Sequence, residues 1–179
     1  MENSVCIVGA GVVGLTTAVK LQQQIPGLDV LWPHSIHALF DHDFCFKVTL
    51  LSEKFSPDLT SNVAAGIFLW GPGAPDKETD KLWAKDSWTW YEDLLKLNKP
   101  EETGVSKLPV YLFSSHRKDQ VERRMMNELC SVYRDCTAEE LRLPQPEGKF
   151  KFGKYLHSLQ IDTKPYLAYL LEKFKEAGK

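Results

Sequence analysis

The residues whose types and spacing point most directly to chemistry lie at the start of the chain. Gly9, Ala10, Gly11, Val12, Val13 and Gly14 form a GxGxxG pattern. In such a turn the first glycine permits the tight bend. The second lets backbone approach a pyrophosphate, and the third lets a helix pack closely on a strand. The helix N-terminus then offers unpaired N–H groups and a partial positive charge to the phosphates. The chemistry indicated is dinucleotide binding, and the motif alone does not choose between FAD and NAD(P). An acid ending the second strand completes this fingerprint by gripping a ribose hydroxyl. Glu53, at the end of Val48-Thr49-Leu50-Leu51-Ser52-Glu53, is that acid. No side chain is assigned a catalytic role, and His116 and His157 are candidates only by elimination.

These residues need elements to hold them. Val5, Cys6, Ile7 and Val8 read as a fully buried parallel strand, with Cys6 a buried free thiol. Leu15, Ala18, Val19 and Leu21 carry a helical rhythm that Pro26 and Gly27 stop. Glu53 lies 39 residues after Gly14, too far for a helix and a short loop. Leu28, Asp29 and Val30 would enter the second strand directly, but residues 31–46 intervene. Without those 16 residues the spacing falls to 23, near the normal value, so 31–46 is expected to be an insertion. It holds His34, His37, His42, Asp41, Asp43 and Cys45, whose spacing matches no usual ligand pattern, and no metal site is assigned. The insertion reads as an aromatic-rich surface loop, as a segment with an apolar helical turn, or as sequence from an alternative transcript or gene-model error.

The composition bounds the class. In 179 residues, 22 Lys+Arg face 24 Asp+Glu, a net charge of −2, with 43% hydrophobic and 26% charged residues. These ordinary values exclude wholesale disorder and fibrous repeats. The balance leaves no basic footprint for nucleic acid. No apolar run approaches the ~20 residues of a membrane span, and no basic segment of a secretory signal precedes Val5. Cys6, Cys45, Cys130 and Cys136 are scattered, which fits a reducing compartment and neither a disulfide framework nor a zinc site.

Further along, Thr79 or Asp80 is placed to cap a helix. Ala84, Trp88, Tyr91 and Leu95 would line its core face, widened by Trp83 and Trp90. Residues 99–104 break it. Residues 118–130 read as a surface helix with a thin stripe of Val121, Met125 and Leu129, and Arg123-Arg124 as a solvated face. Thr137 and Glu140 have capping-box spacing. Phe150, Phe152, Tyr155, Leu156, Leu159 and Ile161 suggest a strand pair or one long bent strand. A last helix starts near Pro165, with Leu167, Leu170, Leu171 and Phe174 on one face and Gly178 at its end.

After Glu53 the chain runs Lys54-Phe55-Ser56-Pro57-Asp58-Leu59-Thr60-Ser61-Asn62-Val63-Ala64-Ala65-Gly66-Ile67. This block, with the run from Ile7 to Ala18, resembles the signature of the FAD-dependent D-amino-acid oxidase and D-aspartate oxidase family. The stretches 109–115, 133–141 and 153–178 resemble later parts of the family more weakly. Asn62 departs from the family's usual Asp, and Phe68-Leu69-Trp70-Gly71 falls where the family is variable.

The resemblance implies an α/β fold: a Rossmann-like FAD-binding βαβ unit over 1–70 with the insertion. The beginning of an α+β substrate domain would follow over 71–179, truncated at about the first half of a family member. Only two strands of the nucleotide-binding sheet are expected. By resemblance, Gly9, Ala10, Gly11, Val12, Val13 and Gly14 form the phosphate loop, and Glu53 and Lys54 sit at the adenosine ribose. Thr60 and Ser61 meet the pyrophosphate, and Ala65, Gly66 and Ile67 line the flavin.

The implied reaction is oxidation of a D-amino acid, D-aspartate favoured, by FAD and O2 to a 2-oxo acid, ammonia and hydrogen peroxide. This chain alone is expected to be inactive. The alternatives are a non-enzymatic FAD-binding truncated form and an NAD(P)-linked Rossmann protein, against which the block from Thr60 to Gly66 argues. The implied partners are a small D-amino acid and O2, with no nucleic acid and no membrane. The family's location is peroxisomal or cytoplasmic, and Ala177-Gly178-Lys179 is no peroxisomal signal. An incomplete sheet is expected to self-associate through its unpaired edge.

Overall fold

Two short apolar runs alternate in burial, and that period of two builds the first sheet. The computed structural model describes residues 4–24, 28–30, 46–64, 66–71, 78–97, 99–144 and 148–177. In chain order the elements are β1 (Ser4–Val8), α1 (Val12–Gln24), β2 (Leu28–Val30), β3 (Phe46–Leu51), α2 (Glu78–Leu97) and α3 (Pro100–Thr103). They continue with β4 (Val105–Ser114), α4 (Arg124–Leu129), β5 (Tyr133–Asp135), β6 (Phe152–Ile161) and α5 (Thr163–Glu176). Two units divide the chain: Met1–Ala65 with Asp162–Lys179, and Gly66–Ile161. Relative to a cut at residue 70, α5 belongs to the first unit and residues 66–70 to the second. The physical reason is that α5 packs on α1.

In the first unit, β1, β3 and β2 form a parallel sheet in that order, with Ser4 to Val8 opposite Lys47 to Leu51. β2 lies on the other side of β3, Leu28 opposite Phe46 and Val30 opposite Val48. This corrects the expectation of two strands, with Leu28, Asp29 and Val30 as the approach to the second one, interrupted by an insertion. They form a separate strand beside it. Parallel neighbours need a crossover of about a dozen residues or more, and the intervening stretch supplies that length. Its His34, His37, Asp41, His42, Asp43 and Cys45 lie outside the described residues.

Burial also departs from expectation. Val48 and Leu50 are buried, as are Leu15, Ala18 and Val19 of α1. Cys6, however, is exposed, and Val8 is 83% exposed. β1 is therefore not a fully buried strand. Its two faces differ because, among the described residues, α1 covers only one side of the sheet. α5 is capped by Asp162, whose side chain accepts from the Lys164 N–H at 3.2 Å. It buries Tyr166, Leu167, Leu170 and Phe174, and Gln22 Nε2 donates to Phe174 O at 3.0 Å.

In the second unit, β6 lies between β4 and β5 in an antiparallel sheet. β4 pairs with β6 from Val105 opposite Ile161 to Ser114 opposite Phe152, so 152–161 is one strand. Ala84, Trp88 and Leu94 are the buried residues of α2. Trp88 sets its edge against Phe68, with centroids 5.3 Å apart. Trp83 does not widen the core face, being 64% exposed. The surface helix expected over 118–130 is instead a 3-10 turn at Lys118–Gln120 followed by the short α4. Val121, Met125 and Met126 are buried there. The cause lies outside the segment: the Arg123 N–H donates to the Tyr133 hydroxyl at 2.7 Å instead of continuing a helix. Lys154, 8% exposed, ties this segment to the sheet through Asp135 (2.9 Å) and Glu122 (3.3 Å). Among the described residues no helix is long and apolar enough to cross a membrane.

Candidate functional site

The glycine turn is fixed first by backbone. Gly9 has φ +101°, a conformation that side chains other than glycine rarely adopt, and its N–H donates to Leu51 O at 2.7 Å. A Cβ on Gly14 would stand 1.9 Å from Gly9 O, so this position admits only glycine while the turn keeps its shape. Gly11 is different: a Cβ there would meet only the Ser61 hydroxyl, at 3.1 Å. The third glycine thus serves packing and the second keeps space open, as the motif predicts.

Around the turn is a cleft of about 360 Å³ whose lining includes Gly9, Gly11, Val13, Gly14, Thr17 and Ser61. α1 begins at its floor, with no acidic residue in its first turn. The first-turn N–H groups of a helix lack intrahelical partners, and here the Val12 N–H points to Ser61 Oγ at 3.4 Å. Neutral donors, a helix N-terminus and a hydroxyl, without an opposing acid, suit a phosphate group. The turn and cleft therefore fit the dinucleotide that the motif calls for.

The remaining predicted residues fall in three places. Thr60 and Ser61 form a 3-10 turn, Thr60–Val63, with Thr60 exposed and Ser61 half-buried. Glu53 and Lys54 are exposed just beyond β3. Ala65 lies outside the described residues. Gly66 and Ile67 belong to the second unit, sewn to β6: the Ile161 N–H donates to Gly66 O at 2.6 Å, and Ile67 bridges Gln160. A Cβ on Gly66 would lie 1.9 Å from Ile161 O, so glycine is needed there for close backbone approach.

Asn62 has a structural role. It is 5% exposed, its Oδ1 accepts from the Leu59 N–H at 3.3 Å, and its Nδ2 donates to Ser56 Oγ at 3.0 Å. Both ends of the amide are spent inside its own loop. Sequence reasoning missed Ser52. Its Oγ accepts from the Ala10 N–H at 3.2 Å and donates to Lys54 O at 2.6 Å. The available signal was a serine between an apolar strand and its terminal acid.

The two candidate histidines lie in the second unit. His116 is exposed, and His157 Nε2 is 2.8 Å from the Tyr155 hydroxyl. Nearby, Thr137 and Glu140 make the expected reciprocal cap: Thr137 N–H to Glu140 Oε2 at 2.8 Å, and Glu140 N–H to Thr137 Oγ1 at 3.2 Å. Hydrogen bonds from Arg134, then from the Thr137 N–H, hold the Glu140 carboxyl well below its ordinary range, at about 2. The Arg134 guanidinium also lies 4.4 Å from the Tyr155 ring centre.

A family model described as FAD dependent oxidoreductase matches residues 4–179. The chain is 27% identical over 176 residues to a D-amino acid oxidase of Dugesia ryukyuensis, covering 97% of this chain and 46% of that relative. It is 28% identical over 178 residues to a D-aspartate oxidase of Homo sapiens, covering 97% and 45%. Among solved structures, glycine oxidase from Bacillus cereus ATCC 14579 aligns with a TM-score of 0.60 at 14% identity, over 99% of this chain and 45% of the other. Iminodiacetate oxidase from Chelativorans sp. BNC1 aligns with a TM-score of 0.54 at 16% identity, over 97% and 44%. At these identities the structural likenesses establish the fold. The chain spans just under half the length of the curated relatives it matches.

Proposed function

The chain belongs to the FAD-dependent oxidoreductase family, whose cofactor is FAD, and from that premise we propose that it carries the cofactor-binding part of a D-amino-acid oxidase, with D-aspartate the favoured substrate. The observation that carries the reading is the cleft at the start of α1, where the glycine turn, first-turn N–H groups and Ser61 converge. In this reading Gly9, Ala10, Gly11, Val12, Val13 and Gly14 cradle the pyrophosphate, with Thr60 and Ser61 adding hydroxyls. Glu53 accepts from a ribose hydroxyl beside Lys54. Ala65, Gly66 and Ile67 meet the flavin. The first unit is the FAD-binding unit, and residues 71–161 open the substrate domain.

When bound, FAD supplies two-electron oxidation of an amine-bearing carbon, with O2 as the final acceptor. Overall, a D-amino acid, O2 and water give a 2-oxo acid, ammonia and hydrogen peroxide. The protein groups named here bind and orient, and none of them moves a proton. The same reading locates the protein inside the cell, in the peroxisome or cytoplasm.

A second reading is FAD binding without turnover. It is favoured by the coverage of 45–46% of the curated relatives. One experiment separates the two: the visible absorbance of the purified chain with added FAD, followed by peroxide release on D-aspartate, D-alanine, glycine and iminodiacetate. A bound-flavin spectrum with peroxide from D-aspartate supports the first reading. Flavin binding without peroxide leaves the second, and no flavin binding overturns both.

A further inference from the structure

β1 and β3 are parallel partners as far as Val8 and Leu51. The ladder goes one step further through backbone, Gly9 N–H to Leu51 O at 2.7 Å. There the chain turns away at Gly9, whose φ is +101°, and backbone pairing ends. The next donor, the Ala10 N–H, is met by a side chain, Ser52 Oγ, at 3.2 Å. Ala10 is 1% exposed, so water is a poor substitute for that partner. The same hydroxyl donates its own proton to Lys54 O at 2.6 Å. One oxygen therefore spends its donor and an acceptor lone pair on two different segments.

From this geometry we propose that Ser52 is a positioning residue of the dinucleotide site, locking the glycine loop to the turn that presents Glu53 and Lys54. The inference rests on the FAD reading above and adds a residue that the sequence motif does not contain. The two segments handle different parts of the ligand: the loop handles the pyrophosphate, and Glu53 with Lys54 the adenosine ribose. Their spacing has to match that between ribose and diphosphate. Serine suits the task because a hydroxyl both accepts and donates within one small volume. Alanine removes both bonds, and threonine keeps both.

The test uses the full chain and its S52A and S52T variants, with ADP and FAD as separate probes. Binding is read by calorimetry for ADP and by flavin absorbance for FAD. S52A is expected to weaken ADP and FAD about tenfold, the scale of one hydrogen bond to a buried amide, and S52T to restore both. In the unliganded chain, amide exchange at Ala10 is expected to accelerate in S52A while Leu15 exchanges as before. Equal ADP affinity in S52A and wild type overturns the inference, as does unchanged Ala10 exchange. A fall in thermal midpoint large enough to account for the whole affinity loss marks Ser52 as merely structural and also overturns it. If the wild-type chain binds neither probe, the FAD reading fails and takes this inference with it. Binding that is indifferent to S52A removes the inference alone.

Discussion

Arg134 and Glu140 are joined by two parallel hydrogen bonds of 2.7 Å, Nη1 to Oε2 and Nη2 to Oε1. The Tyr111 hydroxyl donates to the same carboxylate at 3.2 Å. Such a fork-to-fork pair is geometrically specific, and here it secures the turn after β5. The Glu140 carboxyl falls from 4.5 to about 2 in the folded chain. A depressed carboxyl contributes stability that is complete above its unfolded value and lost as pH falls through the folded one. Thermal midpoints of wild type are therefore expected to drop between pH 4.5 and 2, and those of E140Q to drop less steeply over that window. Parallel pH profiles for the two proteins would sink the assignment.

The second and third glycines of the motif are expected to fail differently. Gly14→Ala forces a Cβ to 1.9 Å from Gly9 O, a backbone clash that no side chain relieves. It is expected to cost more than about 4 kcal/mol or prevent folding of the first unit. Gly11→Ala meets only the Ser61 hydroxyl, a side-chain atom, at 3.1 Å. It is expected to fold normally and lose at least about tenfold in FAD affinity. Denaturant titrations with flavin titrations decide this, and a G11A variant that binds FAD as wild type does would contradict the cleft assignment.

Two tryptophans five residues apart on α2 offer a packing contrast. Trp88 is 6% exposed and set against Phe68, whereas Trp83 is 64% exposed. Trp88→Ala is expected to destabilise by about 3–5 kcal/mol. Trp83→Ala should change stability by no more than about 0.5 kcal/mol. Equal losses in urea unfolding would show that the helix faces are assigned wrongly.

Among the described residues no strand pairs with the outer edge of β1, and Cys6 and Val8 are exposed beside it. The strand carries no charge and no proline, the usual protections of an edge. Concentration-dependent self-association is expected in sedimentation velocity, reduced by Cys6→Lys. A wild-type chain that stays monomeric at every concentration would refute it.

Much of the first unit is legible in sequence because its signals are local. The order of strand, glycine turn and helix needs only neighbouring residues, as does the reciprocal cap of Thr137 and Glu140. The departures arise where distant partners decide. Leu28 to Val30 read as the start of one strand, yet they pair beside β3 because register is set by what lies across the sheet. Residues 118–130 carry helical spacing, but the Tyr133 hydroxyl takes the Arg123 N–H and splits the run. Cys6 looks like core by type, and is exposed because burial depends on how many layers cover the sheet. Ser52 was missed for the same reason: its position after the strand is visible, but its partner Ala10 is 42 residues away.

The last helix gives the molecule an order of assembly. Gln22 and Phe174, bonded across 152 residues, join the first and last helices of one unit, while Gly66–Ile161 is continuous. A ribosome releases the chain from its N-terminus, so every strand of the second unit emerges before the first unit receives α5. Until α5 has been made, α1 lacks the helix it packs on in the folded unit. In that interval the glycine turn is a nascent site whose supporting helix does not yet exist.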